Sequence, residues 1–341
     1  MRVLAALGGN ALLRRGQPAT AELQRANVVK AAAALAPIAV AHELIITHGN
    51  GPQVGLLALQ AQAYDPAAPY PLDILDAESE GMIGYLLEQA LHNELRRRPM
   101  AAVLTQVIVD SDDPAFANPT KPIGPVYTPA QARQLADRHG WHFAPDETGW
   151  RRTVPSPQPL RIVELPALRL LMDAGVILIC VGGGGIPVTV DPDGRLCGIE
   201  AVIDKDLSAA ALARELDADV LMLLTDVSAI ECDHGTPRAR PLTHATPAQL
   251  NALPLPSGSM GPKAAAAAQF VRQTGHRAVI GRLSEATALL EGRAGTQVQA
   301  DAPPVSSPPR QGSAPCADDR PPGLTEDAAQ ARRQVFPRRD R

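Results

Sequence analysis

The strongest constraint on how this chain can fold is a repeated junction: a short apolar run, a glycine loop, then a helical pattern. VLAAL (3–7) runs into Gly8-Gly9-Asn10, and LIIT (44–47) into HGNG (48–51). VILICV (176–181) runs into GGGG (182–185), and GSMGPK (258–263) opens a helical pattern that ends at Gly275. AAVLTQVIV (101–109) and AVIG (278–281) read as further strands. Strands that are apolar on both faces and alternate with helices demand a mostly parallel sheet with helices on each side. The expected class is therefore α/β. In such sheets ligands bind at the carboxyl ends of the strands, where these loops lie.

Helical spacing of apolar residues fills the intervals: 20–41, a helix from about Gln53, 78–98, and the stretch that follows Asp204. Pro37 is expected to kink or end the first of these. From Asp110 to Pro159 the texture changes to Pro, Gly, Asp and Arg, and 110–159 is expected to protrude as an insertion. At its heart is NPTKPIGP (118–125), in which Pro119, Pro122 and Pro125 exclude regular helix and weaken any central strand. Beyond Val298 large apolar side chains run out. Residues 299–341, rich in Pro and Arg, are expected to form a disordered tail, because they cannot bury enough surface to offset their ordering entropy.

Composition excludes several classes. The 341 residues suffice for a large core, and with 3% aromatics that core must be built from Ala, Val, Leu and Ile. A net charge of −4 leaves no basic footprint for nucleic acid or an anionic membrane. No run reaches the ~18 apolar residues of a membrane span. Cys180, Cys197, Cys232 and Cys316 form no CxxC pair, so neither a disulfide framework nor a protein-held metal site is expected. A cytoplasmic, reduced enzyme is the expectation.

Glycine at a strand end lets backbone N–H groups approach a ligand, and a helix start behind it adds partial positive charge. Four such loops in one sheet point to phosphate handling. No GxxxxGK[ST] is present, so this is not a Walker-type loop. GNGPQVG (49–55) misses GxGxxG, with Val54 at the third glycine position. Phosphoryl transfer needs cations near the migrating group. Lysine is rare here: Lys30, Lys121, Lys205 and Lys263 are the full set. Lys30 falls mid-helix and reads as solvated. Lys263 opens a helix, where the macrodipole disfavours a cation unless an anion binds there too. Lys205 lies between Asp204 and Asp206, a pattern open to both a solvated cap and a working site.

The ordered series ALGGNAL (6–12), THGNGPQVG (47–55), ESEGMIGY (78–85), DPAFANPTKPIGPVY (113–127), WRRTVPSP (150–157), GGGGIPV (182–188), AVIDKDLSA (201–209), TDV (225–227) and GSMGPK (258–263) resembles the carbamate kinases of the amino acid kinase family. The resemblance covers residues 1 to about 298. It implies an open αβα sandwich around a mostly parallel sheet, with an acceptor lobe at about 1–190 and a nucleotide lobe at about 191–298. It also implies a homodimer. The implied reaction is reversible transfer from ATP to carbamate, giving ADP and carbamoyl phosphate, run towards ATP in arginine fermentation. Mg²⁺ is implied to arrive on the nucleotide phosphates.

By matching motifs, Gly8, Gly9 and Asn10 are implied to cradle the migrating phosphoryl group. Gly49, Asn50 and Gly51, with Gly183 and Gly184, are implied to hold carbamate. Lys205 and Lys263, organised by Asp206, are implied to meet the phosphates. Asp204, Thr225, Asp226, Met260 and Gly261 are implied to lie along the nucleotide. Many family members carry a lysine on the first strand, where this chain has Ala5 and Ala6. Lys121 is therefore expected to supply the acceptor-side charge from a proline-stiffened lid. After TDV this chain reads SAIECDHG (228–235), a departure that bears on nucleotide preference. Two other functions fit parts of the pattern: a kinase of another small acid, such as acetylglutamate, and a non-catalytic sensor of carbamoyl phosphate or nucleotide. The insertion argues against the first, and the presence of all three loop-associated lysines against the second.

Overall fold

The strand Arg2–Leu7 shows why the apolar runs are apolar throughout. Its Leu4 and Ala6 pack into one buried cluster, and its Val3, Ala5 and Leu7 into another on the opposite face. Side chains alternate along a strand, so a strand with core on both sides has no polar positions to spare. In a computed structural model of the chain, which describes residues 1–13, 17, 18, 20–146, 149–256 and 260–300, this strand lies inside an eight-stranded sheet. The order is His244–Ala245, Thr296–Val298, Arg277–Arg282, Val220–Thr225, Arg2–Leu7, Glu43–His48, Ile177–Ile179 and Met100–Ala102. All neighbours are parallel except Arg277–Arg282 with Thr296–Val298. Helices Lys205–Glu215 and Met260–Thr274 cover one face; Ala21–Ala41 and Leu72–Glu94 cover the other. The α/β sandwich with a mostly parallel sheet is as expected.

Two local expectations change and a third becomes specific. Pro37 neither ends nor interrupts Ala21–Ala41. It lies on the exposed side, as does Ala33, whose carbonyl loses its partner to the proline and faces water instead. The run 101–109 is not one strand: Met100–Ala102 joins the main sheet, and Gln106–Ile108 joins a separate four-stranded sheet. Buried Thr105 makes the break, donating its hydroxyl to Val103 O and its N–H to Glu80 Oε2. NPTKPIGP forms neither helix nor central strand, as its prolines require; from Lys121 it enters a strand, Lys121–Tyr127. It is the edge of a three-stranded sheet with Gly149–Val154 and His142–Asp146, the position where a missing N–H costs no ladder bond.

That small sheet and the helix Pro129–His139 make up the insertion. It is docked rather than free-standing. Ile123 and Val154 pack with Val54, Ala58, Leu72 and Leu75 of the helices Gly51–Tyr64 and Leu72–Glu94. Gly55 meets Gly124 so closely that a Cβ on Gly55 would lie 2.0 Å from the Gly124 Cα. Any side chain at Gly55 would lift the insertion off. The described residues fall within one compact unit, and the main sheet runs unbroken from the expected acceptor lobe to the expected nucleotide lobe through the pairing of Arg2–Leu7 with Val220–Thr225. Apart from residues 299 and 300, the expected tail lies outside the described residues. Among those residues, no helix is long and apolar enough to cross a membrane.

Candidate active site

The strands Arg2–Leu7, Glu43–His48 and Ile177–Ile179 point their carboxyl ends the same way, so their loops meet. Gly8 N donates to Leu224 O at 2.9 Å and Gly49 N to Leu7 O at 3.0 Å. These two amides are thus tied into the sheet. The residues after them, Gly9 and Gly51, each open a helix, where the first N–H groups lack an intrahelical partner and can meet an anion. The Asn10 side chain lies outside the described residues. Opposite, Val181 holds a left-handed conformation, φ 52°, at the head of GGGG. For a β-branched residue this costs ~1–3 kcal/mol. The Thr105 hydroxyl, accepting from Val181 N at 3.1 Å, helps to hold it there.

Charge enters from the helix Lys205–Glu215. Asp204 caps it, accepting from Asp206 N at 2.9 Å and from Leu207 N at 3.3 Å. Asp206 then bridges two lysines: Lys205 Nζ donates to Oδ1 at 2.5 Å, and Lys263 Nζ to Oδ2 at 3.1 Å. Lys121 reaches in from the insertion and pairs with Asp204 Oδ2. Three lysines from three separate elements thus meet two carboxylates. The Lys205 stem crosses the HGNG loop, where a Cβ on Gly49 would lie 2.9 Å from its Cδ and 3.2 Å from Gly9 N. Lys205 is therefore the cation beside both the GGN (8–10) and the HGNG (48–51) loops. Lys30 is exposed on its helix, as expected.

Burial would raise the Asp206 carboxyl pKa, but the flanking ammonium groups outweigh it and hold the group well below the usual carboxylate range. Asp204 is likewise held low, burial being outweighed chiefly by Lys121. Burial lowers Lys205 to about 8, against the opposing pull of Asp206. Burial works against Lys263 too, yet Asp206 and then Asp204 and Asp226 keep it above its ordinary value. A phosphate chain entering here would find cations already gathered and oriented.

Thr225 and Asp226 end the strand Val220–Thr225, with the Thr225 hydroxyl donating to Asp226 Oδ1 at 3.1 Å. Met260 and Gly261 open the helix that carries Lys263, and Gly261 N donates to Pro256 O at 2.8 Å. The loop residues 257–259, just before this helix, lie outside the described residues.

Sequence reasoning gave no role to a second group. The helix Leu72–Glu94 turns Asp76, Ser79 and Glu80 inward, onto its apolar side. Glu80 accepts from Gly182 N at 2.8 Å and from Thr105 N at 3.2 Å. Burial still pushes its pKa up to about 8. Burial also raises Asp76 well above the carboxylate range. His48, which with Glu80 packs against Gly182, is lowered by burial to about 4 and is neutral. Thr47 Oγ1, His48 Nε2, Gln53 Oε1 and Asp76 Oδ2 are buried without a hydrogen-bond partner among the described residues. A signal for this group did exist: polar residues at 76, 79 and 80 share a helical stripe with Leu72, Leu75 and Ile83.

A βα sandwich with glycine loops gathered at the carboxyl ends of its central strands and a lysine–aspartate cluster facing them defines a phosphotransferase. The chain belongs to the amino acid kinase family, whose model matches residues 1–282. Within that family it groups with the carbamate kinases. It is 52% identical over 299 residues to the carbamate kinase of Rhizobium meliloti (strain 1021), covering 87% of this chain and 92% of that one. To the carbamate kinase of Escherichia coli (strain K12) it is 49% identical, covering 86% of this chain and 98% of that one. The solved carbamate kinase of Giardia lamblia bound to citric acid superposes with a TM-score of 0.81 at 39% identity, covering 87% of this chain and 97% of that one.

Proposed function

We propose that this chain catalyses the reversible transfer of the γ-phosphoryl group of ATP to a carboxylate oxygen of carbamate, giving ADP and carbamoyl phosphate. The observation that carries this is Lys205. Its stem lies across Gly49 beside Gly9, and its ammonium is held by an aspartate that also holds Lys263. The attacking oxygen is already anionic, so no general base is needed. One P–O bond forms to carbamate while the bond to the β-phosphate oxygen breaks, and no proton moves. Catalysis is positioning plus charge neutralisation. Lys205 and Lys263 spread over the phosphoryl oxygens, Asp206 keeps both aimed, and Lys121 brings a third cation on the insertion.

The nucleotide enters as its magnesium complex. Among the described residues no group of three or more metal-ligating side chains exists, and Asp204 and Asp206 are both engaged by lysines. By resemblance to the family, the phosphates would carry the metal. Thr225, Asp226, Met260 and Gly261 line the nucleotide side. By resemblance to the family, the enzyme is a cytoplasmic homodimer working towards ATP in arginine breakdown.

The test is direct: mix the protein with Mg-ADP and carbamoyl phosphate and follow ATP. ATP must form faster than carbamoyl phosphate decays alone. No ATP above that background sinks the assignment.

A further inference from the structure

Asn50 caps the helix Gly51–Tyr64 at the point where the HGNG and GGGG loops meet. Its side-chain Nδ2 donates to Asp76 Oδ1 at 2.7 Å and to Ser79 Oγ at 2.8 Å. An asparagine amide has two N–H donors and one carbonyl acceptor. Both donors are therefore spent on the helix Leu72–Glu94.

The two ends of an amide are alike in shape, so its orientation must be argued from chemistry. Ser79 settles it. Its hydroxyl donates its single proton to the backbone carbonyl of Asp76 at 3.0 Å. Towards Asn50, Ser79 Oγ can then only accept, and only the amide nitrogen can donate to it. With the Ser79 proton given to the Asp76 carbonyl, a flipped amide would set its oxygen against Ser79 Oγ with no proton between them. The Asn50 carbonyl oxygen is left with no donor among the described residues. The Gly183 backbone passes directly over this amide: a Cβ there would lie 2.3 Å from Nδ2 and 2.9 Å from Oδ1.

We infer that Asp76 and Ser79 are positioning residues that lock the Asn50 carbonyl oxygen towards the acceptor, where it accepts an N–H of carbamate and selects for acceptors that carry one. This inference rests on the activity proposed above. Carbamate offers carboxylate oxygens to the phosphoryl group and an NH₂ that only donates, its lone pair being delocalised into the carboxylate. Acetate has nearly the same shape but presents a methyl group. A site built to hydrogen-bond a substrate N–H rejects the analogue that lacks it, because the site's own acceptor is stranded. The clamp also works with a neutral acid. Burial favours the protonated form of Asp76, which still accepts at Oδ1 and sets no second negative charge beside an anionic acceptor. Asparagine at this position mimics that form.

The test compares carbamoyl phosphate with acetyl phosphate as phosphoryl donors to Mg-ADP. Where acetyl phosphate is not turned over, its inhibition constant replaces kcat/KM. Ser79→Ala and Asp76→Ala free the amide; Asp76→Asn preserves a neutral acceptor. In the first two, kcat/KM for carbamoyl phosphate is expected to fall at least about tenfold, while the acetyl phosphate value moves less than about threefold. The KM for ADP should hold, and Asp76→Asn should keep wild-type selectivity. Ser79→Ala removes a single oxygen and is the variant least able to disturb the fold. Equal losses on both substrates, an unmoved ratio, or a loss in Asp76→Asn as large as in Asp76→Ala overturns the inference. Wild-type turnover of carbamoyl phosphate with an unmoved ratio sinks the clamp alone. No wild-type turnover sinks the proposed activity and the clamp with it.

Discussion

Two buried polar clusters flank the meeting point of the glycine loops, and they are built in opposite ways. Around Asp206 every group is charged and paired: Lys121 with Asp204, and Lys205 and Lys263 with Asp206. Around Asn50 the groups are driven neutral: His48 is lowered, Glu80 and Asp76 are raised, and burial is the leading cause of each shift. Under the proposed reaction, the difference follows from what each side would meet. Polyphosphate carries several charges, and preformed ion pairs can redirect their ammonium groups to it with little reorganisation. A small mono-anion beside that phosphate is better held by hydrogen bonds, since more fixed negative charge would repel it and more positive charge would bind the wrong phosphate oxygens.

The contrast breaks most sharply at Asp206. Asp206→Ala leaves two buried lysines without the carboxylate that pairs both, with only Asp204 and, for Lys263, Asp226 left as counter-charges. Turnover is expected to fall by about 10²–10³ or more, comparable to loss of a preorganised transition-state contact. Steady-state kinetics on a variant whose thermal melt shows it to be folded decides this; a loss under tenfold would remove the cluster from catalysis. Next comes Lys121, which pairs with the cap residue rather than with Asp206. Lys121→Ala should lower kcat at least about tenfold, or ~1.4 kcal/mol, if its ammonium swings to the migrating group. A kcat near wild type would make it an anchor for the insertion and nothing more.

The smallest effect sharpens the neutral side. Glu80 has a folded pKa of about 8, above its unfolded value, so its contribution is full at acid pH and lost as pH rises through 8. Asp76, also raised, acts in the same direction. His48 is lowered and works oppositely, but only below its unfolded value of 6.5. Lys205, lowered to about 8, opposes the fall by only about 0.4 kcal/mol by pH 8, so the most favourable window is pH 6.5 to 8. Across it, the Glu80 contribution to stability should fall by about 2 kcal/mol, with Asp76 adding to the decline, and Glu80→Gln should remove the Glu80 share. Denaturant titrations at the two pH values give the answer. A flat profile in the wild type would mean that the Glu80 pocket admits water.

The charged cluster was far more legible in sequence than the neutral one. Lysine is so rare in this chain that each of the four demanded an explanation, and three of them converge. The DKD run and GSMGPK were visible as local motifs. Asp76, Ser79 and Glu80 drew no role: Asp76 precedes the helical spacing at 78–98, and Ser79 and Glu80 figured only within the ESEGMIGY match. The partners that give them meaning, Asn50, Gly182 and Thr105, lie 25 to 102 positions away in the chain. The prolines of NPTKPIGP were legible only in part. They do disfavour a central strand, but not an edge strand, and edge position is a property of the assembled sheet.

By itself the sequence determined the class of fold and the kind of chemistry. Unbroken apolar runs can be satisfied only by core on both faces, and glycine at their ends only by a close approach of ligand or backbone. Tertiary structure alone decided where the strands at 101–109 and 176–188 leave one sheet for another, and which carboxylate holds which lysine. It also decided which acids stay neutral. Those outcomes depend on burial and on partners distant in the chain, and neither is written in local spacing.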